Sequence, residues 1–192
     1  NKQYWWLLIF IFGLFWFRGY INLDPDFGGH VKMGQIILKS GIPKTDPFSY
    51  TMPSYPYVDH EWLTNVIMSG LYSQIGMAGL ATVYAFMMVA VFAVTFWKNW
   101  KWSLIPMLMG WSVFWPRGGV RPQVETWVFL AILLRLLETK TWLKWKWTFP
   151  LFMFFWANLH GGFAIGVVVV AVAIGVKTLE ARKIWGKDIG VW

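Results

Sequence analysis

The 192-residue sequence is 57% hydrophobic, 20% aromatic and only 14% charged. Soluble domains carry about 25% charged residues, so this balance argues against a water-soluble fold. The net charge of +8 does not point to nucleic acid, because the lysines sit in short runs between apolar segments rather than in a basic stripe. With no cysteine, a disulfide framework, a thiol nucleophile and a thiolate metal site are all excluded. The 16 tryptophans exceed what a core needs and suit the membrane–water interface, where an apolar ring and a polar N–H are satisfied together.

In chain order, apolar stretches predict membrane spans near 4–21, 79–97, 103–115, 123–138, 147–158 and 162–177. Several fall short of the roughly 20 residues that a full crossing needs and must borrow flanking residues. The sequence thus predicts an all-α membrane protein, a multi-pass helical bundle forming one transmembrane module over residues 1–192. Residues 22–78 form a long polar outer loop between the first two spans. The loop carries two juxtamembrane helices. One runs from Phe27 to Lys39, before the stop signal Ser40-Gly41 with Pro43 beyond. The other covers 61–75, where Leu63, Ile67, Leu71 and Ile75 form an i, i+4 apolar row. Between them Pro43, Pro47, Pro53 and Pro56 enforce extended chain and turns. The chain opens at Asn1 and is expected to be a piece of a longer protein.

Charge sets the orientation. If 61–75 lies on the outer surface, then Lys2, Lys98, Lys101, Lys140, Lys144, Lys146, Lys177, Arg182, Lys183 and Lys187 are all cytoplasmic, as positively charged loops prefer. Trp97-Lys98-Asn99-Trp100-Lys101-Trp102 and Trp142-Leu143-Lys144-Trp145-Lys146-Trp147 then read as inner aromatic belts. The expected location is the cell membrane, with a cytoplasmic N-terminus and lipid as the surrounding partner. This topology gathers His30, His60 and His160 on or near the outer face, with most of the acidic residues and Arg117 and Arg121.

Four clusters there are candidates for chemistry. In Asp24-Pro25-Asp26-Phe27-Gly28-Gly29-His30, two carboxylates two residues apart suit proton transfer or a shared cation, with His30 one helical turn on. The plainer reading makes Asp26 a helix cap and His30 a surface residue. Asp59-His60-Glu61 precedes the second juxtamembrane helix, and both capping and metal binding with the first cluster stay open. Arg117-Gly118-Gly119-Val120-Arg121 is a turn whose arginines suit phosphate, or lipid headgroups. Asn158-Leu159-His160-Gly161-Gly162 interrupts apolar chain, as a broken helix or a plain hairpin turn.

An outer loop opening Asp24-Pro25-Asp26-Phe27 after a first span resembles the GT-C superfamily of membrane glycosyltransferases. The start is similar to that of oligosaccharyltransferase catalytic subunits, and Phe27-Gly28-Gly29-His30 is loosely similar to a run in protein O-mannosyltransferases. Thr45-Asp46-Pro47-Phe48-Ser49-Tyr50, Asp59-His60-Glu61-Trp62-Leu63, Arg121-Pro122-Gln123 and Trp156-Ala157-Asn158-Leu159-His160-Gly161-Gly162-Phe163 resemble a group of poorly characterised prokaryotic multi-pass proteins of that predicted fold. The resemblance implies transfer of a sugar from a polyprenyl-phosphate-linked donor to an acceptor on the outer face. It implies Asp24 as the first candidate acid and Asp26 as the second, with His30 beside them, and a divalent cation (Mg or Mn) held by Asp24 and Asp26 if one is present. Arg117 and Arg121 become phosphate candidates, and Asp59, His60, Glu61, Asn158 and His160 complete the substrate site. The motif here is Asp-x-Asp rather than an adjacent pair, and the C-terminal spans of a full GT-C enzyme are absent, to be supplied by a missing C-terminal part or a protein partner. A non-catalytic assembly or lipid-binding subunit is the main alternative. A transporter with its site at the broken 158–162 segment is the second.

Overall fold

A computed structural model describes residues 2–96, 100–139, 144 and 147–188. Among them are seven helices: α1 (Lys2–Ile21), α2 (Phe27–Ser40), α3 (Trp62–Phe96), α4 (Trp100–Arg117), α5 (Gln123–Leu137), α6 (Thr148–Leu159) and α7 (Phe163–Asp188). The described chain is all-helical apart from a single β-bridge, Thr45 to Pro56, in the proline-rich loop. Helices occupy each of the apolar stretches. Three of them, α1, α3 and α7, contain segments long and apolar enough to cross a membrane. Lys98, Lys140 and Lys146 of the expected inner belts lie outside the described residues.

The outward faces support a membrane setting. Helix α1 buries one stripe, Tyr4, Leu8, Ile11, Phe15 and Gly19, at helical spacing. Its other face carries Trp5, Trp6, Ile9, Phe10 and Phe17, all more than half exposed. Along α7, Ile165, Val168, Val172 and Leu179 are exposed in the same way. Contiguous apolar area of this kind is stable only against lipid or another protein.

Helix α3 is the hub, packing on α1, α2, α5 and α6. It is broken at Gly76, where φ is 63° and ψ −170°. A Cβ is disfavoured in that conformation, so glycine permits the break. The break falls between the 61–75 and 79–97 segments expected from sequence. The N-terminal arm packs in an unexpected way. Its apolar row is not its buried face: Thr64, Asn65, Met68 and Ser69 are buried, whereas Ile67 and Ile75 are exposed. The polar side chains Thr64, Asn65 and Ser69 face inward beside Met68, and of the apolar row Ile67 and Ile75 face outward while Leu71 packs against the core.

The arm meets α2 at very close range. A Cβ built on Gly34 would lie 2.0 Å from the Asn65 carbonyl oxygen and 2.5 Å from the Ser69 Cβ. Since the obstacle is backbone, Gly34→Ala must push the two helices apart. Thermal unfolding in detergent should show a loss of about 1–3 kcal/mol, the usual cost of overpacking. An unchanged melting temperature would refute the close contact.

Candidate functional site

The α2 N-terminus, the α3 arm and the α6–α7 turn converge on Glu61. The Glu61 carboxylate is mostly buried and meets all three histidines of the chain. His160 Nε2 lies 3.3 Å and His60 Nε2 3.5 Å from its Oε1, and His30 Nδ1 lies 4.0 Å from its Oε2. Glu61, His30 and His60 line an open cavity of about 270 Å³ with Asp26, Tyr57, Asp59 and Asn65. The Tyr57 hydroxyl is pushed above the ordinary phenol pKa, by burial first and then by Asp59, Asp46 and Glu61, so it stays un-ionised at neutral pH.

Hydrogen bonds fix this arrangement. Asp59 is buried, and its Oδ1 accepts the Glu61 backbone N–H at 3.0 Å, as a cap at the start of the arm. Its Oδ2 accepts from the Asn65 amide at 2.8 Å. The Asn65 Oδ1 is in turn 2.7 Å from His30 Nδ1. His30 is therefore a mostly buried member of a chain from Asp59 through Asn65, not a surface residue. Asp26 stands at the N-cap of α2 without a side-chain capping bond and is exposed at the cavity rim.

Asp24 is held elsewhere. Its Oδ1 accepts the Asp26 backbone N–H at 2.9 Å, and its Oδ2 is ion-paired with Arg121 Nε. Asp24 and Arg121 thus meet each other rather than the cavity lining. Arg117 ends α4, exposed and without an ion pair to a described residue. Near it, Arg18 donates to the carbonyls of Trp115 at 3.2 Å and Pro116 at 3.1 Å, satisfying the otherwise open C-terminal end of α4. Among the described residues, no group of three or more His, Asp or Glu side chains is arranged to hold a metal ion.

Beneath Glu61 lies a second polar layer that sequence reasoning missed. Thr64 Oγ1 donates to the Leu159 carbonyl at 2.7 Å and also contacts Glu125 Oε2, while Tyr84 donates to Glu125 Oε1 at 3.1 Å. The layer ties the arm to the C-terminus of α6 and to α5. Asn158 accepts from the Trp62 indole at 2.7 Å, a second strut between arm and α6 rather than a cavity group. Beside it, Thr126 Oγ1 is 2.8 Å from His160 Nδ1 and accepts the Trp156 indole N–H at 3.0 Å. The one available signal was Glu125 itself, a lone carboxylate in an apolar stretch, which is costly unless partnered or functional.

Comparison with protein-family models, with curated proteins and with solved structures found no match. The site's own geometry therefore carries the functional argument.

That geometry offers a carboxylate on an accessible cavity, oriented by imidazoles and supported by buried hydrogen bonds. Burial lowers the pKa of His160 below that of free imidazole, against the opposing pull of Glu61, and His60 and His30 add to the lowering. Glu61 thus presents a carboxylate to the cavity with imidazoles on its flanks.

Proposed function

We propose that the chain forms the catalytic part of a GT-C-like membrane glycosyltransferase. It moves a sugar from a polyprenyl-phosphate-linked donor to a hydroxyl acceptor on the outer face of the cell membrane. The single observation that carries the reading is Glu61, a carboxylate on a cavity of about 270 Å³ lined by polar side chains, in a protein whose α1 and α7 expose apolar faces. Such a cavity admits a polar headgroup whose lipid tail stays in the bilayer. The distribution of lysines in the sequence supports placing the cavity on the outer side.

In the reaction, Glu61 takes the proton of the acceptor hydroxyl. The acceptor oxygen bonds to the anomeric carbon as the bond from that carbon to the phosphate oxygen breaks, and the polyprenyl phosphate leaves with the electron pair. Arg117, exposed and without an ion pair to a described residue, is assigned to the phosphate; Arg121 already has its Nε on Asp24. The base is thus assigned to Glu61 in place of Asp24. A cation shared by Asp24 and Asp26 fits poorly, because Asp24 faces Arg121 with one oxygen and the Asp26 amide with the other.

The reading is tested in liposomes containing the purified chain and radiolabelled polyprenyl-phosphate hexoses. Label should leave the lipid fraction only when a hydroxyl acceptor is supplied. Donors that persist intact with every acceptor class would overturn the assignment in favour of a non-catalytic subunit.

A further inference from the structure

We infer that Thr126 and the Gly162 amide lock His160 in the neutral form with its hydrogen on Nε2, making it a positioning residue that donates to Glu61. The argument is a count of donors. A backbone N–H can only donate, and the Gly162 N–H is 3.0 Å from His160 Nδ1, so Nδ1 must present a lone pair. Thr126 Oγ1 also lies 2.8 Å from Nδ1. An indole N–H can only donate, and that of Trp156 reaches Thr126 Oγ1 at 3.0 Å, which leaves the threonine's own hydrogen free for Nδ1. Two donors therefore converge on one ring nitrogen. The hydrogen of the neutral ring must then be on Nε2, which lies 3.3 Å from Glu61 Oε1.

An imidazolium at this position would aim an N–H at the Gly162 N–H and break that bond, and Thr126 would have to turn its own hydrogen away from Nδ1. The lock is buried: Trp156 is fully enclosed, Thr126 is 5% exposed, and a Cβ on Gly162 would lie 2.3 Å from Thr126 Oγ1. The groups that face His160 are His60 and Glu61, just before α3, and His30 on α2. On α5 the neighbouring Glu125 is directed at Thr64 and Tyr84 instead. Helix α6 has no charged residue, and the first in α7 is Lys177.

The other two histidines lack such a lock. His30 Nδ1 faces the Asn65 carbonyl oxygen, whose amide group is turned to Asp59, so its hydrogen is on Nδ1. The His60 side chain is 69% exposed. His160 therefore orients Glu61 as a neutral donor. The catalytic consequence rests on the reading of Glu61 as the base; the tautomer does not.

The test uses the full chain labelled with ¹⁵N-histidine in lipid nanodiscs. It has only three imidazoles to resolve, assigned with His30→Gln and His60→Gln. In the unsubstituted protein at neutral pH, His160 should show a protonated Nε2 and a bare Nδ1. Its titration midpoint should lie below that of free histidine. Thr126→Val removes one of the two donors and should raise that midpoint by about one pH unit, a tenfold change in protonation. Thr126→Ser keeps the hydroxyl and should leave the midpoint in place. A protonated Nδ1 in the unsubstituted protein, or equal midpoints in the Val and Ser variants, would overturn the lock. In the transfer assay the acid limb of Thr126→Val should move to higher pH, because a charged His160 ties up Glu61. If the spectra follow the expectation and no variant transfers sugar, the lock stands and only the enzymatic reading fails.

Discussion

Glu61→Gln is expected to lower sugar transfer by about 10²- to 10⁴-fold, the range supplied by a positioned general base. Glutamine keeps the length and shape of the side chain. Its carbonyl can still accept from His160, 3.3 Å from Glu61 Oε1, so the cavity is preserved while the basic oxygen is lost. The loss should fall on kcat and kcat/KM together, since the proton is taken only as the transition state forms. Two companions make the result specific. Asp26→Asn alters the other acid on the cavity and should cost far less, because Asp26 is exposed at the rim. Asp24→Asn breaks the pair with Arg121 and should disturb the loop rather than the proton transfer. Near-normal turnover in Glu61→Gln, alongside collapse in Asp26→Asn, would move the base to Asp26.

The contrast between these acids shows what the sequence could convey. The Asp-x-Asp spacing marked Asp24 and Asp26, since two nearby carboxylates are a visible pattern. That Arg121, 97 residues away, engages Asp24 is a fact of tertiary packing that no local pattern encodes. Glu61 could be picked out as a member of Asp59-His60-Glu61 but not ranked, because two of its three imidazole neighbours, His30 and His160, come from α2 and the α6–α7 turn. The helices were more legible than the site. Uninterrupted apolar runs leave the backbone little alternative in an apolar environment, and Gly76 fell where the 61–75 pattern ends. The face that the arm buries was not legible. The apolar row at Leu63, Ile67, Leu71 and Ile75 is conspicuous, but Ile67 and Ile75 turn outward, while the polar side chains Thr64, Asn65 and Ser69 are buried, where polar groups need internal partners.

Glu125 was hidden for a related reason, since averaging hydropathy along 123–138 dilutes a single carboxylate. Its removal should be the most destabilising of these substitutions. Thr64 has one hydroxyl hydrogen and two acceptors in reach, the Leu159 carbonyl and Glu125 Oε2, while Tyr84 supplies a hydrogen to Glu125 Oε1. Glu125→Ala leaves the Tyr84 hydroxyl buried without its acceptor and opens a space where α3, α5 and α6 meet. A loss of about 2–4 kcal/mol is expected, from one orphaned donor and the void together. Glu125→Gln predicts the opposite outcome. Its amide N–H can donate to Thr64 Oγ1, which frees the threonine hydrogen for Leu159, and its carbonyl accepts from Tyr84. All three contacts are then satisfied at once, so Glu125→Gln should melt within a degree or two of the unsubstituted protein, a change of less than about 0.5 kcal/mol. Thermal unfolding in one detergent, followed by tryptophan fluorescence, decides between them. Equal destabilisation of both variants would mean that Glu125 acts through its charge, and the hydrogen-bond account of the layer beneath Glu61 would be wrong.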